Sequence, residues 1–481
     1  MKLLTAASLA LIAAATAQAA HPVHKDHTTV HYVGAAPDSA AMTEAIIANA
    51  PEQFSSPGLP RFVAVGSSGK FAIGVGGFAK GTVSFDFGDV IDNPTAFITS
   101  QIPTPRQPGN GGKFQFGIGT STLYVNAVAT PDNGHNVGAF VAVNFLGKSL
   151  APALQYAYVN LGGIQLGYNY SLFADMGAAP PTIDFEGPNA YPVVPTIGVR
   201  YTRSFGPNGQ FRAGAAIEKP EAGYTLSAYT ARVFQRIPDL PLFFRWSWQH
   251  DAWVRLSAIV RGIQYRDLVS ECNRTVAGWG FALTGTSPLG SLPLTLYWDA
   301  CAGQGISTIY QDLAGTSTDL MPWAGRDGRL RPVTSWGGYA ALQWNINSRL
   351  FASAYYSQMR LYARRYASTP VAPGTYDDNA QPTPWGEQYR YAQQCAANIF
   401  YRMTSYLQCG MEYDYGRRVN MDGSQGHDSR VQLCSSSPSD TPEQTNGHNE
   451  KAGTVSLRFL LFQYAADEST GKHIDCPNPN Y

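Results

Sequence analysis

The stretch Trp253-Val254-Arg255-Leu256-Ser257-Ala258-Ile259-Val260-Arg261-Gly262-Ile263-Gln264 decides how the chain folds. Successive side chains of a strand point to opposite faces. Val254, Leu256, Ala258, Val260 and Gly262 then share one face, while Arg255, Ser257 and Arg261 share the other. A face that is apolar throughout beside one that holds two guanidiniums fits a strand between lipid and a wet interior. Reversing it would place both arginines in hydrocarbon, at ~2–4 kcal/mol each near the bilayer midplane. Arg255 and Arg261 are therefore expected to point inward.

The neighbouring segments read the same way. Ile197, Val199 and Tyr201 form an apolar face, which sends Arg200 and Thr202 inward. Phe211, Ala213, Ala215 and Ile217 face out, placing Arg212 and Glu218 in the interior. Leu242, Phe244, Trp246 and Trp248 face out and leave Arg245, Ser247 and Gln249 inside; Val455, Leu457, Phe459 and Leu461 do the same for Arg458. Arg200, Arg212, Arg245, Arg255 and Arg261 thus line one wall. Permanently charged, fork-shaped donors gathered on one side of a narrow pore focus a positive field and orient carboxylates. The competing reading is that these arginines pair with acids of an infolded loop and hold it in place.

Working outward, alternating runs continue from about Gly69. About sixteen can be counted, an even number as single-chain bacterial barrels have. They begin near Gly69, Gly112, His135, Ala153, Ile164, Pro195, Gln210, Pro238, Ala252, Thr275, Leu294, Ser335, Arg349, Glu387, Tyr406 and Gly453. Short turns rich in Gly, Pro, Asn and Asp alternate with long connections near 88–111, 175–194, 307–334, 366–386 and 418–451. This is the rhythm of an all-β, up-and-down antiparallel transmembrane β-barrel, with short turns at the periplasmic end and long loops outside. Tandem soluble β-sandwiches would not account for strands so long with outward faces so apolar. Residues 175–194 stand out as a constriction loop: long, rich in Pro and Gly, and carrying Asp175, Asp184 and Glu186. Folded inward, Asp184 and Glu186 are expected to face the arginine wall across an eyelet.

Composition agrees. Charged residues make up 14 % of the chain, against about 25 % in ordinary soluble proteins. Aromatic residues reach 12 %, yet mean hydropathy is only −0.18. Few charges and many aromatics at modest hydropathy suit a lipid-facing shell around a polar lumen. A formal net charge of zero favours no nucleic-acid partner. Lys2, the apolar run Leu3–Ala15 and Ala17-Gln18-Ala19 read as a signal peptide over residues 1–19. The expected organisation is then an N-terminal periplasmic segment over 20–68, a barrel over 69–465 and a tail over 466–481. The N-terminal segment opens on His21, His24, His27 and His31, and 39–50 can form a short helix. Histidines in such a segment seldom hold a metal, and neither metal nor cofactor is expected.

The stretch from Leu161 to Asp175, LGGIQLGYNYSLFAD, followed by Thr182-Ile183-Asp184-Phe185-Glu186-Gly187-Pro188-Asn189, resembles the DcaP-like porins. So do Glu218-Lys219-Pro220-Glu221, Ile237-Pro238-Asp239-Leu240-Pro241, Gly278-Trp279-Gly280 and Glu412-Tyr413-Asp414-Tyr415-Gly416-Arg417-Arg418. The resemblance implies a sixteen-stranded homotrimeric channel of a Gram-negative outer membrane, in contact with lipid and favouring small anionic solutes such as dicarboxylates. Two features depart from that family: residues 20–60 carry no sustained heptads, and the chain runs past the last expected strand to Tyr481.

Six cysteines in an exported chain invite pairing. Cys272 and Cys301 flank the turn expected at 286–291, and Cys395 and Cys409 flank Met403, so each pair is a candidate cross-strand disulfide. Cys434 is expected in an outer loop and Cys476 in the tail. No GxSxG, HExxH or P-loop sequence occurs, so an enzyme is not expected. The rival to a channel is a structural or adhesin-like barrel with a plugged lumen.

Overall fold

In the computed structural model, the described residues are 31–33, 45–46, 48–51, 62–65, 70–104, 111–130, 136–227, 229–249, 252–322, 329–363, 388–404 and 407–437. Two short strands come first, β1 (His31–Val33) and β2 (Phe62–Val65), followed by β3 (Phe71–Asp89), β4 (Gly111–Gly117) and β5 (Thr122–Ala129). Next come β6 (Val137–Asn144), β7 (Ala153–Leu161), β8 (Ile164–Tyr170), β9 (Pro195–Phe205), β10 (Phe211–Glu218) and β11 (Thr230–Arg232). Then follow β12 (Leu240–Gln249), β13 (Ala252–Asp267), β14 (Cys272–Pro288) and β15 (Leu294–Gln304). After β16 (Leu320–Pro322) and β17 (Leu330–Pro332) the wall resumes with β18 (Thr334–Asn345), β19 (Leu350–Tyr362), β20 (Tyr389–Thr404), β21 (Leu407–Asn420) and β22 (Gln425–Ser437).

Each wall strand pairs antiparallel with the next, and β22 pairs with β3 through Val431 opposite Phe85, which closes the sheet. The collinear β4 and β5 pair with the upper and lower halves of β3 and fill one wall position between them. The result is a closed sixteen-stranded barrel. Closure removes the exposed edges that an open sheet would present to lipid. No helix among the described residues is long and apolar enough to cross a membrane.

The alternation read from Trp253–Gln264 is what forms this wall. Along β13, Arg255, Ser257, Ile259, Arg261 and Ile263 are buried, while Leu256 and Val260 are exposed on the outside. Ile197, Val199, Tyr201, Ile217, Leu242, Phe244 and Trp246 are likewise exposed outward. Tight turns join the strands at one end; Gly162 and Gly163, with φ of 55° and 91°, make the two-residue turn between β7 and β8 that other residues adopt only with strain. Long connections follow β3, β8, β10, β15 and β19 at the other end, described over 90–104, 171–194, 219–227, 229–239, 305–322 and 329–333.

One strand differs from expectation. The long connection expected over 418–451 contains a tight turn at 421–424 and β22, which takes the sixteenth wall position. Its outward residues are Gln425, His427, Ser429, Val431, Leu433 and Ser435, only two of them apolar, so it carries no lipid-facing pattern to read. The segment from Gly453, with Arg458, lies outside the described residues, as do residues 1–19 and Cys476.

Candidate functional site: an arginine-lined chamber beside an infolded loop

After Tyr170 the chain turns into the lumen instead of continuing up the wall. Glu218, at the end of β10, accepts hydrogen bonds from Ser171 Oγ and the Leu172 amide, both 2.7 Å, and so fixes the first turn of the loop. Asp175 is fully buried; it accepts from Thr284 Oγ1 at 2.5 Å and Trp253 Nε1 at 3.1 Å, with Arg255 at 3.7 Å. The loop then follows the inner wall. Tyr339 Oη donates to the Ala178 carbonyl, Ser353 Oγ and Asn398 Nδ2 donate to that of Pro181, and Glu412 accepts the amides of Ile183 and Asp184. Asn189 is held by Ser357 and Gln394 before the Ser171 amide closes the base of the loop on the Val194 carbonyl. The inward-folded constriction loop expected over 175–194 is present.

Two further connections meet it. Phe97 of the 90–104 segment donates its amide to Asp184 Oδ1 at 2.6 Å, and Gly187 closes the other oxygen at 2.7 Å. Thr99 and Ser100 donate to Asp312 at 2.8 and 2.9 Å, while Gln311 reaches the Glu186 carbonyl. Burial raises the Asp184 carboxyl, against the opposing pull of the Phe97 and Gly187 amides. Burial, with Asp312 and Asp184 nearby, pushes Glu186 well up. Asp312 is pushed up to about 6, chiefly by burial. Asp184 is therefore a clasp between loops, with its carboxylate turned to backbone amides and not to the arginine wall. Nothing about residues 175–194 alone signals this, because Phe97 and Glu412 lie far away in sequence.

The five arginines all project inward but have different roles. Arg261 is 4 % exposed and bonded to Asp239 at 3.1 Å, Asp319 at 3.2 Å and the Gly305 carbonyl at 2.9 Å, tying two connections together. Arg255 is 5 % exposed; it donates to the Leu172 carbonyl and to Ser257, pairs with Asp175 and lies 4.0 Å from the Phe243 ring centre. Arg200 donates to the Tyr170 carbonyl at 2.7 Å. Arg245 donates to Ser247 and stacks 3.7 Å over Trp253. Arg212 is half-buried and makes no hydrogen bond or ion pair with a described residue.

Pair register puts Arg212 opposite Arg245, and Arg245 opposite Arg255, in one row across β10, β12 and β13. Adjacent strands are ~4.8 Å apart, so three guanidiniums in a row repel one another unless an anion lies among them. Since the loop clings to β13, β14 and β18–β21, the inner face from β5 to β13 stays open to a chamber of about 470 Å³. Arg200, Arg212, Arg245 and Arg255 line it together with Tyr156, Tyr158 and Tyr170, and among the described residues no Asp or Glu does. Its floor, at the short-turn end, is formed by Ala45, Ala48, Asn49, Ala50 and Pro51. Sequence reasoning missed that floor, together with Asp312 and Glu412.

Neither cysteine pair is joined. Cys272, Cys301, Cys395, Cys409 and Cys434 are all free thiols. Cys301 sits opposite Ala282 because the turn is centred beyond the expected 286–291, and Cys395 sits opposite Tyr415, not Cys409. Cys434 is on β22, not in a loop. Among the described residues no group of three or more His, Cys, Asp or Glu is placed to hold a metal ion.

Residues 113–286 match the family described as "Porin subfamily". No curated protein matches. Among solved structures, the outer membrane channel DcaP of Acinetobacter baumannii superposes with a TM-score of 0.63 at 18 % identity, covering 78 % of this chain and 98 % of that one. OmpF of Salmonella typhi, in complex with daunomycin, gives 0.46 at 8 % identity, covering 77 % and 99 %. OmpT of Vibrio cholerae gives 0.44 at 10 %, covering 76 % and 97 %. The barrel and the partial family match point to an outer-membrane barrel of porin type. The porin match covers the strands that build the arginine wall, and the barrel fold is shared with that channel.

Proposed function

We propose that the chain is an outer-membrane porin through which small hydrophilic solutes diffuse, with preference for anions such as carboxylates and dicarboxylates. One observation carries the preference: among the described residues, four guanidiniums and no carboxylate line the open chamber. Arg212 is its working charge, since Arg255 is offset by Asp175 and Arg261 by Asp239 and Asp319. A carboxylate entering from the long-loop end would pass residues 175–194 and meet paired fork donors on one side. Tyr156, Tyr158 and Tyr170 on the remaining surface favour no cation by formal charge. The protein reaches the membrane by the signal peptide read over 1–19 and assembles there as a homotrimer, which crosslinking in detergent would count.

A plugged structural barrel is the second reading. What favours it is the infolding of 90–104, 175–194 and 305–319, which meet at Asp184 and Asp312. Planar bilayers separate the two. The porin reading expects stepwise conductance and a reversal potential of anion-selective sign in a salt gradient. Cation selectivity would remove the arginine proposal, and silence would leave the plugged barrel.

A further inference from the structure

Asn49 sits in a socket on the lumen wall, and every polar atom of its side chain is used. Its Nδ2 donates to Asn126 Oδ1 at 2.6 Å and to the Ala139 carbonyl at 3.3 Å, while its Oδ1 accepts from Asn160 Nδ2 at 2.7 Å. Tyr158 Oη donates to the Asn49 carbonyl at 2.8 Å, and Asn126 Nδ2 to that of Ile46 at 2.9 Å. The wall leaves room for this contact at one residue. Gly138 lies opposite Asn160, and a Cβ there would come within 2.0 Å of Asn49 Oδ1. Ile46 is fully buried, and Ala50 packs against the Tyr124, Phe140, Tyr156 and Tyr158 cluster. The segment is tied at both ends, because β1 pairs with β2, and β2 with β3.

From this geometry we propose that residues 45–46 and 48–51 are a tethered plug, docked in a dedicated socket of Asn126, Gly138, Tyr158 and Asn160, which closes the short-turn mouth of the arginine chamber. The inference rests on the channel reading above and adds to it a closed state with a named latch. The socket is uncharged. Its hydrogen bonds are short-range and neutral, so salt does not screen them as it screens the arginine field. Docking and anion selection are thus separate: ionic strength weakens the second and leaves the first. Asn49→Ala removes the side-chain bonds to Asn126, Asn160 and Ala139 and strands their partners. The docked population should fall about ten- to a hundred-fold relative to the undocked one. Gly138→Ala attacks the same latch from the wall. Gly138 carries no positive φ, so alanine suits the strand and only the docked Asn49 is displaced.

The test is single-channel recording of the full chain in planar bilayers, in potassium chloride and then in potassium malonate, for wild type, Asn49→Ala and Gly138→Ala. Folding of each is checked by its β-sheet circular dichroism. The expected result is a longer open time or larger step in both variants, with unchanged sign of the reversal potential. The wild-type closed fraction should be the same at low and high salt. Folded variants that conduct like an active wild type would overturn the plug and leave the channel standing. A wild-type closed fraction that vanishes with salt would also overturn it, by showing that charge holds the segment. Silence from all three proteins would overturn the channel reading itself, and the plug with it.

Discussion

Two walls of the lumen carry charge, and they use it in opposite ways. On β21, β22 and β3, Glu412, Asp414, Asp428, Asp86 and Asp89 are all buried. Glu412 accepts two amides of the constriction loop, Asp428 accepts those of Gly88 and Ile91, and Asp86 accepts Arg430 and Gln115. These acids hold infolded chain. On β9, β10 and β12, Arg200, Arg212 and Arg245 border open space. Formal net charge is zero, yet the described lining of the chamber carries only basic side chains, because these carboxylates sit beneath loops while three guanidiniums reach the cavity. A lumen selects with the charge it exposes, not with the charge it contains.

The strongest way to break this contrast is to attack the acid wall. Arg430 is fully buried against Asp86, at 2.9 Å through Nη2, and also bonds the carbonyls of Ile91 and Asn93. Arg430→Met strands a buried carboxylate and releases the 90–104 segment, so a loss of ~3–5 kcal/mol in unfolding free energy is expected. Urea unfolding of the detergent-folded barrel measures it. A loss below about 1 kcal/mol would mean that the acid wall does not hold the loops.

The open wall should respond in function, not stability. Arg212→Ala and Arg245→Ala are each expected to lower the anion-to-cation permeability ratio several-fold, read as a shifted reversal potential, with stability changed by less than about 1 kcal/mol. Arg261→Ala sharpens the comparison, because Arg261 is paired like the acid wall although it belongs to the basic one. It should cost about 3 kcal/mol by stranding Asp239 and Asp319. Equal selectivity losses from Arg212→Ala and Arg261→Ala would erase the distinction between exposed and buried charge.

A smaller effect is expected from pH at the loop junction. Burial raises Asp312 to about 6, so the folded state takes up its proton more readily than the unfolded chain does. Its contribution to stability is complete below the ordinary aspartate range and is lost as pH rises through about 6. Asp312→Asn should flatten that part of the stability profile between pH 4 and 7, by on the order of 1–2 kcal/mol. An unchanged slope would place the titration elsewhere.

How much of this the sequence discloses depends on which force writes the pattern. Burying Arg255 or Arg261 in lipid is costly enough that Trp253–Gln264 announces its faces, and fifteen of the sixteen wall strands follow from similar alternation. The strand β22 stays hidden because Gln425, His427, Ser429 and Ser435 lie on its outer face, where no apolar pattern forms. The constriction loop is legible as a loop by its length, prolines and glycines. Its attachments are not, since Asp184 is satisfied by Phe97 and Glu412 and Asn49 by Asn126 and Asn160, contacts made only on closure of the barrel.

The same limit explains the cysteines and gives the smallest expected effect. Pairing across a hairpin depends on register, and register depends on where the turn is centred. Cys272 lies opposite Asp267 at the far end of β14, whereas Cys301 is buried halfway up β15 against Ala282; the two are beyond disulfide reach. Cys395 and Cys409 are offset along β20 and β21 in the same manner. Reductant should therefore leave the mobility and unfolding midpoint of the folded barrel unchanged. A thiol-reactive maleimide should label exposed Cys272 at once, and buried Cys301 and Cys434 only after unfolding. A reductant-sensitive midpoint would require β14 and β15 to slide past one another. That would carry Arg255 and Thr284 out of the row that positions the chamber, so this quiet measurement tests the register on which the arginine wall depends.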